Sequence, residues 1–219
     1  GANVSTTIAD GGPNALTVTA VGYAALTTST ARFGVSSLVF DGTGDYCTIP
    51  HNASNDISTG DFTIELSFRL TATPYSVLLS KAVGTGVWQY RLYYDNATGK
   101  VVFRAYDNGG SPAIVVDLQS TTTISTSTWY DVAITRSGTT FTLYLNGVSE
   151  ASATSSAVLY STTASVSLGA TNTGAGQMAG QLDHIRMTKG VARTIAPLTV
   201  EWEGPPAYTL PDDWFGEGI

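Results

Sequence analysis

Charge is scarce in this chain. Only 12% of its 219 residues are Asp, Glu, Lys or Arg, and the ten Lys and Arg are scattered without a basic cluster. The formal net charge is −7. Nucleic acid requires a positive footprint on its phosphates, so it is excluded as a partner, and anionic membranes are disfavoured on the same ground. A single cysteine, Cys47, leaves no intrachain disulfide and no CxxC or Cys/His zinc pattern. No apolar run approaches the ~20 residues of a membrane-spanning helix, so no membrane insertion is expected. The first residues lack the basic and apolar regions of a secretion signal. No segment sustains a helical period. Neither an internal repeat nor a linker is visible, which implies one domain over residues 1–198 and a tail over 199–219.

What is abundant is Ser, Thr, Gly and aromatic residues, the material of pleated surfaces and turns. Hydrophobicity alternates with period two. In Phe62–Leu70, Phe62, Ile64, Leu66, Phe68 and Leu70 alternate with Thr63, Glu65, Ser67 and Arg69, the pattern of a strand with one face in a core. Trp88, Tyr90, Leu92 and Tyr94 alternate in the same way, and after the turn DNATG a strand returns over Lys100–Tyr106. A second meander runs through Trp129–Arg136, Thr140–Leu145 and Val148–Ala153. Its last turn, Asn146-Gly147, is a strong hairpin signal because both residues tolerate positive φ. Shorter strands are expected at Thr17–Val21, Ser37–Phe40, Tyr46–Ile49, Val77–Ser80, Ile114–Leu118, Ser165–Leu168 and Gly180–Met187. So many short strands imply an all-β protein, a two-sheet antiparallel sandwich or a barrel. Cys47, inside a strand, reads as a small buried residue. Sequons begin at Asn3, Asn52 and Asn96, as chance would supply in a Ser/Thr-rich chain.

Four blocks carry a resemblance. RFGVSSLVFDGTGDYCTIP (Arg32–Pro50), TGDFTIELSFRL (Thr59–Leu70), TWYDVAITRSGTTFTLYLNGV (Thr128–Val148) and GQLDHIRMTKGVAR (Gly180–Arg193) follow one another as in laminin-G-like, concanavalin A-like domains of bacterial surface and phage virion proteins. The resemblance covers roughly Ala9–Pro197. It implies a jelly-roll β-sandwich and a setting on a virion or an extracellular surface, without fixing a ligand. It also implies a calcium ion near the FDG turn, with Asp41 and Asp183 at the acidic positions. The alternative is that Asp41 caps a turn and Asp183 accepts backbone hydrogen bonds. Related sandwiches bind sugar on a sheet face, and Arg91, Tyr93, Arg104 and Tyr106 are candidates for such a row. Asn108 is a further candidate, with Tyr75, Trp88, Asp107 and Asn172 near the strand ends. Trp88 and Trp129, lying in alternating strands, are expected in the core.

Glucanases of this superfamily resemble one another in an ExDxxE cluster that supplies paired carboxylates, and no such cluster is present. Glu65 stands alone and reads as a structural hydrogen-bonding group. His51 and His184 have no triad-type neighbours in sequence, and GxSxG is missing. A non-enzymatic role is therefore expected: a virion or surface structural or adhesion protein, or a carbohydrate-binding module. The tail, EWEGPPAYTLPDDWFGEGI, is rich in proline, aromatics and acids. It reads as a mobile end or one wrapped on its own domain, or as a docking peptide whose anchors Trp202, Tyr208, Trp214 and Phe215 meet another subunit or a neighbouring copy.

Overall fold

Residues with alternating hydrophobicity pair into two stacked antiparallel sheets. The computed structural model of the chain describes residues 4–83, 87–107 and 113–198. Fifteen strands occur among these residues. In chain order they are β1 (Val4–Ser5), β2 (Thr19–Val21), β3 (Ala25–Thr27), β4 (Ser37–Asp41), β5 (Tyr46–Ile49), β6 (Phe62–Leu70), β7 (Ser76–Val83) and β8 (Val87–Asp95). There follow β9 (Lys100–Tyr106), β10 (Ile114–Gln119), β11 (Trp129–Ser137), β12 (Thr140–Leu145), β13 (Val148–Thr154), β14 (Val166–Leu168) and β15 (Ala179–Lys189). One sheet has eight strands in the order β1-β3-β4-β15-β6-β11-β12-β13, and the other has seven, β10-β9-β8-β7-β14-β5-β2. The expected jelly-roll sandwich is thus observed. The strands β1 and β3 have no counterpart in the sequence reading, being two and three residues long.

The core lies between the sheets. Phe62, Ile64, Leu66, Phe68 and Leu70 of β6 meet Tyr90, Leu92 and Tyr94 of β8 and Val101 and Phe103 of β9 in one buried cluster. Phe68 stacks on Tyr130, with ring centroids 5.6 Å apart. Cys47 is fully buried, and burial pushes its thiol up to about 12. Asn146 and Gly147 both have positive φ, as the β12–β13 turn requires.

The outer face of the eight-stranded sheet is polar but largely covered. Arg32 reaches Asp131 through Nε and Nη2 at 3.2 and 2.9 Å, and Ser67 Oγ donates to Asp131 at 2.7 Å. Glu65 pairs with Arg186 at 2.8 Å, the structural role expected for it. Arg69 donates to Gln181. The segment after β15 crosses this face: Thr63 Oγ1 donates to Val191 O and accepts from Arg193 N. A side chain at Gly147 would collide with the backbone of Ala196–Pro197. Beneath this segment a cavity of about 30 Å³ is lined by Glu65, Ser67, Asp131 and Ile195, which is water-sized. Trp129 sits on this face opposite Arg69 and is half-buried, not in the core as expected. The reason is phase: Tyr130, Val132 and Ile134 take the inward positions of β11, so Trp129, Asp131 and Ala133 point outward.

Candidate functional site

The outer face of the seven-stranded sheet is built by β8 and β9. Their inward residues are Tyr90, Leu92, Val101, Phe103 and Ala105. The alternate positions, Arg91 and Tyr93 on β8 and Val102, Arg104 and Tyr106 on β9, therefore share the other face. The register sets Arg91 opposite Arg104 and Tyr93 opposite Val102. Four of the residues expected to form a sugar-facing row are thus brought together.

Arg91 is the centre of the group. Its guanidinium carbon lies 4.8 Å from the ring centroid of Tyr93, 5.0 Å from that of Trp88 and 5.9 Å from that of Tyr106. These are cation–π distances. Its Nη1 donates to Tyr75 Oη at 3.3 Å. Tyr75 packs on Tyr93 with centroids 5.1 Å apart, and Val77, Tyr93 and Val102 form a small apolar cluster beneath it. Arg104 also lies over Tyr93, at 5.9 Å, but pairs with Asp117 of β10 at 3.0 Å. That hydrogen bond holds the Arg104 guanidinium above its ordinary range. Burial raises the Tyr93 phenol to about 12 and also raises Tyr75, so both stay neutral at physiological pH.

Trp88 reaches this face through a backbone irregularity. Lys81 is opposite Tyr90, but the next residue, Ala82, is opposite Trp88, so Gln89 is an extra residue on β8. Such a bulge shifts the phase of a strand, and Trp88 leaves the core it was expected to join. Gln89 Nε2 donates to Asp56 Oδ1, which anchors the bulge to the segment closing that end of the sandwich.

Across the same face Arg91 is followed by Ser80 of β7, Ser167 of β14, Thr48 of β5 and Thr19 of β2. The loop after β14 folds over this row, with Asn172 Nδ2 donating to Ala82 O and Val77 N donating to Gly176 O. Ser80 Oγ, Ser167 Oγ, Asn172 Oδ1, Arg91 Nε and Arg104 Nε are buried without a hydrogen-bond partner among the described residues. Unmatched buried polar atoms are uncommon in folded proteins, and here five belong to one face and its covering loop. Asp117, Ser80 and Ser167 were not anticipated from sequence. Their contribution depends on cross-strand register, which the chain order alone does not display.

The acidic pair expected to hold calcium is arranged differently. Asp41 lies opposite Ala179, four residues before Asp183 on β15, a separation of roughly 13 Å at about 3.3 Å per residue. Asp41 is exposed and accepts from Thr43 N, capping its turn. Asp183 is buried and accepts from Arg32 N, Phe33 N and His184 N. His184 follows it at a bulge, with φ of 49°. Asp45, the other turn carboxylate, is taken by Tyr23 N and Asp41 N. The register therefore does not bring Asp41 and Asp183 together, and among the described residues no three His, Cys, Asp or Glu converge. Asn108, Trp202, Tyr208, Trp214 and Phe215 lie outside the described residues. No helix among the described residues is long and apolar enough to cross a membrane.

Solved structures share this architecture. The binding domain of Paraclostridial Mosquitocidal Protein 1 superposes with a TM-score of 0.64 at 16% identity, over 85% of this chain and 46% of that one. Domain 4 of AbnA, an extracellular arabinanase from Geobacillus stearothermophilus solved with arabinotriose, gives 0.62 at 18% identity, over 82% and 84%. The ligand-binding domain of botulinum neurotoxin serotype D, solved with N-acetylneuraminic acid, gives 0.59 at 12% identity, over 85% and 44%. The chain spans less than half of the two toxin domains. Among curated proteins no relative matches it. A family model described as the concanavalin A-like lectin/glucanases superfamily matches residues 41–194. With most of its length covered by that match and its two sheets in place, the chain belongs to the concanavalin A-like lectin/glucanases superfamily.

Proposed function

We propose that this domain is a non-catalytic glycan-binding module whose binding surface is the outer face of the seven-stranded sheet. The observation that carries the reading is Arg91 set among Trp88, Tyr93 and Tyr106, with Tyr75 at its edge. Aromatic faces stack on the apolar faces of sugar rings, and a few convergent polar donors then fix orientation. Support comes from two structural neighbours, one solved with arabinotriose and one with N-acetylneuraminic acid. Catalysis finds no support in the carboxylate beside this group among the described residues, Asp117, which is paired with Arg104. Attachment of a virion or a cell surface to a glycan-bearing partner is the setting we propose for such a module.

Affinity electrophoresis through gels containing soluble polysaccharides, followed by calorimetry on any hit, tests the reading. Retardation by at least one polysaccharide, lost in Trp88→Ala and Tyr106→Ala variants of unchanged secondary structure, is the expected result. Equal retardation of wild type and both variants would place binding elsewhere on the molecule.

A further inference from the structure

We infer that the sugar recognised on this face carries a carboxylate, and that Arg91 receives it. The inference rests on the glycan-binding reading and names the class of glycan. It follows from an inventory of charges on the face. Arg104 has its counter-ion, Asp117, at 3.0 Å. Arg91 has no acidic partner among the described residues, and its one side-chain hydrogen bond goes to a neutral phenol. On the opposite face Arg32 and Arg186 meet Asp131 and Glu65 at 2.9 and 2.8 Å, and Arg69 donates to Gln181.

A half-buried guanidinium ringed by π-faces has lost much of its water. The rings return part of that solvation to its flat faces, whereas its in-plane N–H donors need oxygen acceptors. Tyr75 Oη supplies one. A carboxylate matches the planar fork of the remaining donors better than a hydroxyl does, and a charge-assisted bond is the stronger kind. Tyr93 and Tyr106 are buried behind the cation, so the half-buried Trp88 is the wall left to stack on the sugar ring while its acid group docks. A neutral glycan satisfies that wall and leaves the cation unmatched.

Binding is measured by calorimetry with four probes: oligogalacturonate, the same oligosaccharide with its carboxylates reduced to alcohols, sialyllactose, and neutral arabino-oligosaccharide. The wild-type domain is expected to bind at least one carboxylated probe, and at least tenfold more tightly than the reduced one if that probe is the uronate. Oligogalacturonate against sialyllactose separates a uronic from a sialic acid. Arg91→Gln is expected to erase the preference for carboxylate while the melting temperature holds. Asp117→Asn, which frees Arg104, is expected to tighten carboxylated probes and leave neutral ones unchanged. Equal affinity for oligogalacturonate and its reduced form, with no binding of sialyllactose, overturns the inference and leaves the glycan-binding reading intact. Failure to bind any of the four, with no retardation by any polysaccharide, overturns both.

Discussion

Lys81 sits where a cation has little to gain. It is fully buried on β7, and its Nζ donates to Asn55 O at 3.0 Å and Asn55 Oδ1 at 2.8 Å, with His51 Nδ1 at 3.0 Å. No carboxylate lies within ion-pair distance among the described residues. Burial pulls its ammonium down from 10.5 to about 8, with Asp56 opposing the shift. The unfolded chain keeps this proton up to about pH 10.5, while the folded chain releases it near pH 8. Between those values the unfolded state binds more protons, so this group's contribution to stability rises with pH. It is absent below pH 8 and complete above pH 10.5. A shift of about 2.5 units corresponds to about 3 kcal/mol in total, of which about 2.5 kcal/mol is reached by pH 10.

Cys47, raised from 9.0 to about 12, and Tyr93, raised from 10.0 to about 12, act in the opposite sense above pH 9 and pH 10 respectively. A pH titration of the wild type alone would therefore mix the three. Lys81→Met isolates the lysine, because the other groups remain in both proteins. Urea unfolding at pH 7.5 and pH 10 should show the stability difference between wild type and variant moving by about 2.5 kcal/mol in favour of the wild type. A difference that stays constant across this range would refute the buried, unpaired-lysine account.

Three further outcomes are expected. Asp131→Ala removes the acceptor of both Arg32 and Ser67 on a mostly buried site. It should cost about 2–3 kcal/mol in urea unfolding; a loss within experimental error would show that Arg32 finds an equivalent partner. Gly176 has φ of +66°, and a Cβ there would lie 2.7 Å from Tyr75 Cε1. Gly176→Ala should cost about 1–3 kcal/mol and displace Tyr75, read as a lower melting temperature with weaker binding of any ligand that Trp88 supports. The Cys47 thiol, raised to about 12 and buried, should resist a thiol-exchange reagent in the native protein and react fully in denaturant. Native-state reaction at the denatured rate would contradict its burial.

Most of the fold was legible because period two is a local signal. The strands Phe62–Leu70, Lys100–Tyr106, Thr140–Leu145 and Tyr46–Ile49 have the bounds their alternation implies. The strands β1 and β3, two and three residues long, were not. The site was legible in part for the same reason. Alternation joins Arg91 to Tyr93 and Arg104 to Tyr106, and the hairpin between β8 and β9 brings the two pairs together. Trp88 escaped because one extra residue, Gln89, reverses the phase, and nothing in the local sequence marks it. The tie that holds the bulge comes from Asp56, 33 positions away. The separation of Asp41 and Asp183 along the sheet has a similar cause. A motif match supplies residue types, whereas the β4–β15 register decides their separation.

The two outer faces explain why binding should fall on one of them. Both carry arginine amid polar strands. On the eight-stranded sheet the cations are met from within: Arg32 by Asp131, Arg186 by Glu65, and Arg69 by Gln181. The segment after β15 then lies across that sheet, and Gly147 allows its backbone to approach closely. Such a face has few donors left to offer. On the seven-stranded sheet, β10 supplies one carboxylate for two arginines, and Arg104 takes it. The bulge at Gln89 adds an indole where the alternation would have buried it. The chain thus leaves an aromatic enclosure around a guanidinium whose acid partner is not in the described fold. Partnering that guanidinium with an external anion accounts for the unmatched donors of Arg91 and for the aromatic walls together.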